Sequence, residues 1–202
     1  SGVSTVFIPS RVGGWKAKGM NSVYTRTGDD GMTGLLYGGR VSKGGELIDA
    51  LGDIDETVAA LGVARSGCPD ADRAALLLRI QRELFVVAAD LGVDPGHRNL
   101  LKPGVSLVEP TMTAELERTI DELTARQPLR PVFVVPGSTP LEAAIDLART
   151  VARRAERHTV QIKVAGHPVS EDALGYLNRL SDLLYVLARQ AAEGTDEPAS
   201  HD

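Results

Sequence analysis

A chain of 202 residues with a single cysteine and a formal charge of −5 has room for one core of ordinary domain size, but no internal disulfide and no general basic excess for gripping a nucleic-acid backbone. Hydrophobic residues make up 43% of it and aromatics only 4%, so the interior must come from Leu, Val, Ile and Ala, which suits helix packed on helix. Lone Cys68 is compatible with a reducing compartment, which makes cytoplasm the expected location, and no apolar run approaches the roughly 20 residues that cross a bilayer.

Residues 1–19 carry one short apolar group, Val3 to Ile8, and no small-residue cleavage pattern, so they do not read as a secretory leader. Met20 is a plausible natural start. The expectation is therefore an upstream extension or expression remnant over 1–19, one helical domain over 20–192, and a mobile acidic tail over 193–202.

From Tyr24 to Gly45 the chain is dense in glycine and is expected to be a loop rather than an element. Helical spacing begins at Glu46, with Leu47, Leu51, Ile54, Val58 and Leu61 on one stripe, and ends at Gly67 and Pro69. A second helix, about Ala71 to Leu91, carries Leu77, Ile80, Leu84, Val87 and Leu91 and is closed by Gly92. The connection from Val93 to Pro110 has no assignable pattern; a shorter helix follows near Thr111 to Arg126, with Leu116, Ile120 and Leu123 inward. Thr139, Pro140 and Glu142 spell a capping box for a fourth helix running to about Val164. Ser170, Glu171 and Asp172 open a fifth, with Leu174, Leu177, Leu180, Leu184, Leu187 and Ala191 as its stripe. The expected fold is all-α, a five-helix bundle preceded by a glycine-rich loop.

Three stretches could carry chemistry. On the fourth helix, Arg149, Arg153 and Glu156 fall within a sector of roughly 60°, with Arg154 and Arg157 nearby. Crowded guanidinium groups repel unless an anion sits among them, and a polyphosphate offers many acceptors for their forked donors. The competing reading is a solvated face with Glu156 paired to Arg153. On the fifth helix, Asn178, Asp182 and Arg189 share a face by i,i+4 and i,i+7 spacing, so that Asn178 could read an adenine or ribose and Asp182 could fix an arginine across the bundle. That stripe is equally readable as an ordinary wet face. The loop from Tyr24 to Gly34 combines glycines, hydroxyls and, with Arg26, Arg40 and Lys43, positive charge, as a phosphate wrap requires, although a flexible linker would share the composition. No Walker pattern is present, His97, His158, His167 and His201 lack metal-ligand spacing, and there is no GxSxG elbow.

In combination, several segments resemble the PduO-type ATP:cob(I)alamin adenosyltransferases. They are Tyr24-Thr25-Arg26-Thr27-Gly28-Asp29 with Gly31, Thr33 and Lys43; Asp53-Ile54-Asp55-Glu56; Phe133-Val134-Val135-Pro136-Gly137; Ala148-Arg149-Thr150; Arg153 to Arg157; and Tyr176 to Asp182. Two positions depart from the family's pattern: Ser138 stands where a second glycine is frequent, and Asp30 where a basic residue is.

The resemblance implies a homotrimer with ATP between subunits, Mg²⁺ on the triphosphate and a corrinoid as acceptor of the 5′-deoxyadenosyl group. It implies nucleotide contacts from Thr25, Arg26, Thr27, Gly28, Thr33 and Lys43 of the loop and from Arg153, Glu156, Arg157 and Asn178. Arg149 would pair with Asp55 of another subunit to order the site. Phe133 would lie against the corrin and help to expel cobalt's lower axial ligand. The product would be available for transfer to a cobalamin-dependent enzyme. A non-catalytic ATP sensor or cobalamin escort on the same fold, and a helical protein-interaction module, are the rival expectations.

Overall fold

The computed structural model describes Tyr24 and residues 26–200; the expectations for residues 1–19 and for Thr25 lie outside them. Five α-helices form the body: α1 (Glu46–Ser66), α2 (Ala71–Leu91), α3 (Pro110–Arg126), α4 (Pro140–Val164) and α5 (Glu171–Ala191). The expected helices are all present. No helix among the described residues is long and apolar enough to cross a membrane.

The most extensive packing joins α1 to α4 and α4 to α5, with α2 against α1 and α3 against α5. Alanines explain why α4 is central: Ala148, Ala152 and Ala155 are fully buried on it, and Ala50 and Ala64 are buried on α1. Small side chains at a contact let two helix axes approach closely. Leucines fill the remaining space, among them Leu61, Leu77, Leu84, Leu116, Leu177, Leu180, Leu183 and Leu184, each worth about 1.5–3 kcal/mol on burial. Tyr176 is the one large polar-tipped side chain fully buried in this core, and its hydroxyl donates to Glu83 at 2.7 Å.

Two carboxylates brace the bundle from within. Asp90, fully buried near the end of α2, accepts from Arg98 at 2.6 Å, from the Val108 amide at 3.1 Å and from the Ser170 hydroxyl at 2.8 Å. It ties α2 to the connection before α3 and to the cap of α5, so a charge in the core has its full set of partners. Asp53, on α1, lies 2.8 Å from Arg154 Nε and 2.6 Å from His158 Nδ1 on α4. Glu56 also pairs with Arg154. Pairing of 53 with 158 and of 56 with 154 makes α1 and α4 antiparallel.

Four local expectations are corrected. The glycine-dense segment is not purely loop: β1 (Met32–Gly34) and β2 (Arg40–Ser42) form an antiparallel hairpin with Thr33 opposite Val41. Strands of three residues are too short for alternation to be legible. The hairpin tip docks on the end of α2, where Leu36 N donates to Gly92 O at 2.9 Å and Asp94 N donates to Leu36 O at 3.0 Å. Gly39, at φ +73°, fits only as glycine there, because a Cβ would stand 2.4 Å from Asp94 Oδ2. Second, the unassigned connection holds a 3₁₀ helix over Pro95–Leu100.

Third, the capping box of α4 is half made. Thr139 Oγ1 accepts from Glu142 N at 3.1 Å, but the Glu142 carboxylate does not return to Thr139. It accepts instead from Gly137 N and Ser138 N and pairs with Arg189, because a buried guanidinium competes for it more strongly than an exposed amide would. Fourth, part of the C-terminal tail takes up strand structure: β4 (Glu197–Pro198) pairs antiparallel with β3 (Val134–Val135).

Candidate functional site

Arginine placement on α4 follows from its helical phase. Ala148, Ala152, Ala155 and Thr159 face the core, which sends Arg154 to the α1 side and Arg149 with Glu156 to the α5 side. Arg154 is consumed by Asp53 and Glu56; its hydrogen bond to Asp53 is the main reason its guanidinium is held above its ordinary pKa. Arg149 donates through Nε to Asp146 at 2.6 Å. Arg153 and Arg157 remain: no carboxylate pairs with either among the described residues, and Arg157 bonds only the Arg153 carbonyl, at 3.1 Å. Two exposed cations on one helix face are thus left without counter-charge.

Arg149 and Arg153 open onto a cleft of about 630 Å³ between α3, α4 and α5, whose lining includes Ile120, Arg179, Asp182 and Tyr185. Beside it, Asn178 Nδ2 donates to Glu156 Oε1 at 2.8 Å, so these two expected site residues do meet. Glu156 does not pair with Arg153. Asp182 does not reach across the bundle either: it binds Arg179 one turn away on its own helix, and Arg179 also binds Glu117 of α3 at 3.1 Å. Arg189 leaves the polar row entirely. It is 6% exposed, covered by Glu142, Asp146 and Asp196, because the start of α4 and the tail close over that end of α5.

The loop residues form a braced unit. Lys43 Nζ donates to Gly28 O at 2.7 Å, and Arg40 donates to Thr27 O at 2.7 Å. Asp30, the departure from the family's pattern, accepts from Arg40 at 2.9 Å and from Met32 N at 3.0 Å; the Arg40 hydrogen bond, more than any other interaction, lowers its pKa. Gly28 and Thr33 are buried. Arg26 adopts φ +62°, and its guanidinium lies 5.5 Å from the Tyr24 ring centre.

The remaining sites stand apart. Asp55 borders an apolar notch of about 120 Å³ with Ile48, Leu51 and Phe85 on the outer side of α1 and α2, and Arg149 is bound to Asp146 rather than to it. Phe133 is 90% exposed beyond the N-terminal end of α4, with Val132 and Val135 also exposed. The hairpin lies at the other end of α4, where His167 Nε2 is 2.9 Å from Leu91 O. A 25-residue helix separates these ends by roughly 37 Å. Within one chain, the loop and Phe133 therefore stand at opposite ends of α4, with the arginine row on the helix between them. Reading by sequence missed Arg154, Asp53 and His158 as a unit, although their i,i+4 and i,i+3 spacings would allow facing rows, and missed Asp90, whose only signal was a charge inside an apolar run.

The chain matches the family model described as cobalamin adenosyltransferase over residues 23–191. A corrinoid adenosyltransferase of Mycobacterium leprae is 42% identical over 182 residues, spanning 88% of this chain and 94% of that protein. The corresponding Bacillus subtilis protein is 38% identical over 171 residues, 83% and 84% of the two chains. Among solved structures, a variant PduO-type ATP:corrinoid adenosyltransferase from Lactobacillus reuteri complexed with cobalamin and ATP superposes with a TM-score of 0.78 at 29% identity, covering 88% of this chain and 95% of that one. A family match that spans all five helices leads to one conclusion: this chain belongs to the cobalamin adenosyltransferase family.

Proposed function

We propose that this protein transfers the 5′-deoxyadenosyl group of ATP to the Co(I) of a corrinoid, releasing triphosphate. The observation that carries the reading is Arg153, which lines the cleft with no carboxylate partner and has Arg157 one turn along, in a chain whose relatives are named for this reaction. Co(I) supplies the electron pair. A Co–C5′ bond forms as the C5′–O bond breaks, and the bonding pair leaves on the triphosphate oxygen, so no general base is needed. The protein's work is to hold both reactants in line, worth several kcal/mol in prepaid entropy, and to stabilise the leaving charge with Arg153 and Arg157.

Thr25, Arg26, Thr27, Gly28, Thr33 and Lys43 wrap the triphosphate, with Glu156 and Asn178 completing the nucleotide contacts. The roughly 37 Å between the hairpin end and the Phe133 end of α4 supports a site assembled from neighbouring copies, with a homotrimer as the assembly. Arg149 would then exchange Asp146 for Asp55 of a neighbour. Phe133, a large apolar side chain facing solvent beside Val132 and Val135, fits contact with the corrin face. Mg²⁺ goes with the triphosphate, since it is commonly bound through substrate phosphates and water. Work on Co(I) suits a reducing compartment, the cytoplasm, and the product would pass to a cobalamin-dependent enzyme.

Protein mixed with ATP, Mg²⁺ and reduced cobalamin should develop the absorption spectrum of an alkylcobalt corrinoid. ATP binding without that spectrum would replace the enzyme reading by the sensor or escort.

A further inference from the structure

Phe133 has almost no packing of its own to set its direction, yet the backbone that follows it, Val134 to Ser138, is held from two sides by one buried guanidinium. On one side, β3 pairs with β4 of the C-terminal segment, and Ala199 N donates to Phe133 O at 2.8 Å. Asp196, the residue before β4, pairs with Arg189 Nη1 at 2.5 Å. On the other side, Glu142 Oε2 accepts from Gly137 N at 2.7 Å and Ser138 N at 3.1 Å, and its second oxygen binds Arg189. Arg189 also binds Asp146 at 2.5 Å and lies 5.6 Å over the Tyr185 ring. Thr139 Oγ1 donates to the Ala191 carbonyl at 3.0 Å, closing the same corner.

Three carboxylates, each less than a tenth exposed, around one guanidinium are more than stability asks for. Glu142 and Asp146 already balance Arg189 together with Arg149, which shares Asp146, and a buried ion pair contributes little net stability over an apolar replacement. The third carboxylate reaches in from outside the bundle, and its structural consequence is to fix where β4 begins, hence where β3 and Phe133 lie.

We propose that Asp196, through Arg189, is a positioning residue for the transfer reaction: it latches the C-terminal segment to the bundle so that the segment presents Phe133 at a fixed place. This rests on Phe133 as the corrin contact. Arg189→Ala is a poor probe, since it leaves Glu142 and Asp146 buried without a cation. Asp196→Ala leaves Arg189 with two partners and spares the core.

The test combines two readouts on the full chain. Amide hydrogen exchange should accelerate at residues 133–137 in Asp196→Ala while α1 and α2 keep their protection. Turnover from Co(II) corrinoid should fall about tenfold, as a small misplacement of a reacting partner does, with the KM for ATP unchanged; Asp196→Glu should recover most of it. Unchanged exchange at 133–137 overturns the latch. Faster exchange with full turnover, while Phe133→Ala is impaired in parallel, overturns the positioning role alone. If Phe133→Ala is itself unimpaired, the corrin-contact reading falls, and the catalytic half of the proposal falls with it.

Discussion

Arg154 Nε and Asp53 Oδ1 lie 2.8 Å apart, a contact that follows from the buried alanine face of α4. With Arg154 turned towards α1, its sequence neighbour Arg153 faces away, about 100° round the helix, and is left free for an anion. Asp53→Ala should therefore cost stability before it costs binding. It takes the nearby carboxylate from His158 and leaves Arg154 with Glu56 alone; Arg154 is 38% exposed, so the loss is discounted for solvent to about 1–2 kcal/mol. A urea midpoint unchanged from the parent would refute the brace.

Arg153→Ala removes an exposed cation with no carboxylate partner, so the fold has little to lose. Its melting temperature should stay close to the parent's, whereas kcat/KM for ATP should drop by about 10²-fold, in line with loss of a group aimed at developing charge. Steady-state kinetics at saturating corrinoid checks it, and normal kinetics would remove Arg153 from the site.

Phe133→Ala should behave differently with the two cobalt states. Expulsion of the lower axial ligand matters when Co(II) must be reduced, so conversion starting from Co(II) should slow while prereduced Co(I) is handled nearly as in the parent. Equal behaviour in both assays would leave the exposed phenyl ring without this role.

Glu83 gives a pH prediction. Burial, opposed by the Tyr176 hydroxyl and by Arg79, raises its pKa above the usual carboxylate value of 4.5. The folded state then holds its proton more tightly than the unfolded chain does. This stabilisation is complete below the unfolded pKa and is lost as pH rises through the raised folded one. Glu83→Gln keeps an acceptor for Tyr176 and removes the titration, so parent and variant denaturation curves should diverge in stability across that window. Parallel pH profiles would show that Glu83 does not carry the effect.

What the amino-acid order determined by itself was the set of helices and the crowding of arginines on α4. Leucine stripes of 17 to 25 residues repeat often enough to be read, Thr139 and Ser170 cap where their side chains predict, and the four arginines of α4 are plain in the sequence whatever surrounds them. Only tertiary structure decided which arginine is available. Arg153, Arg154 and Arg189 look alike in one dimension, yet Asp53 claims the second and three buried carboxylates claim the third, because those partners come from other elements that only packing brings near. The β1–β2 hairpin and the β3–β4 pairing were invisible for a related reason: strands of two or three residues have no period of their own, and their stability comes from the surface on which they land.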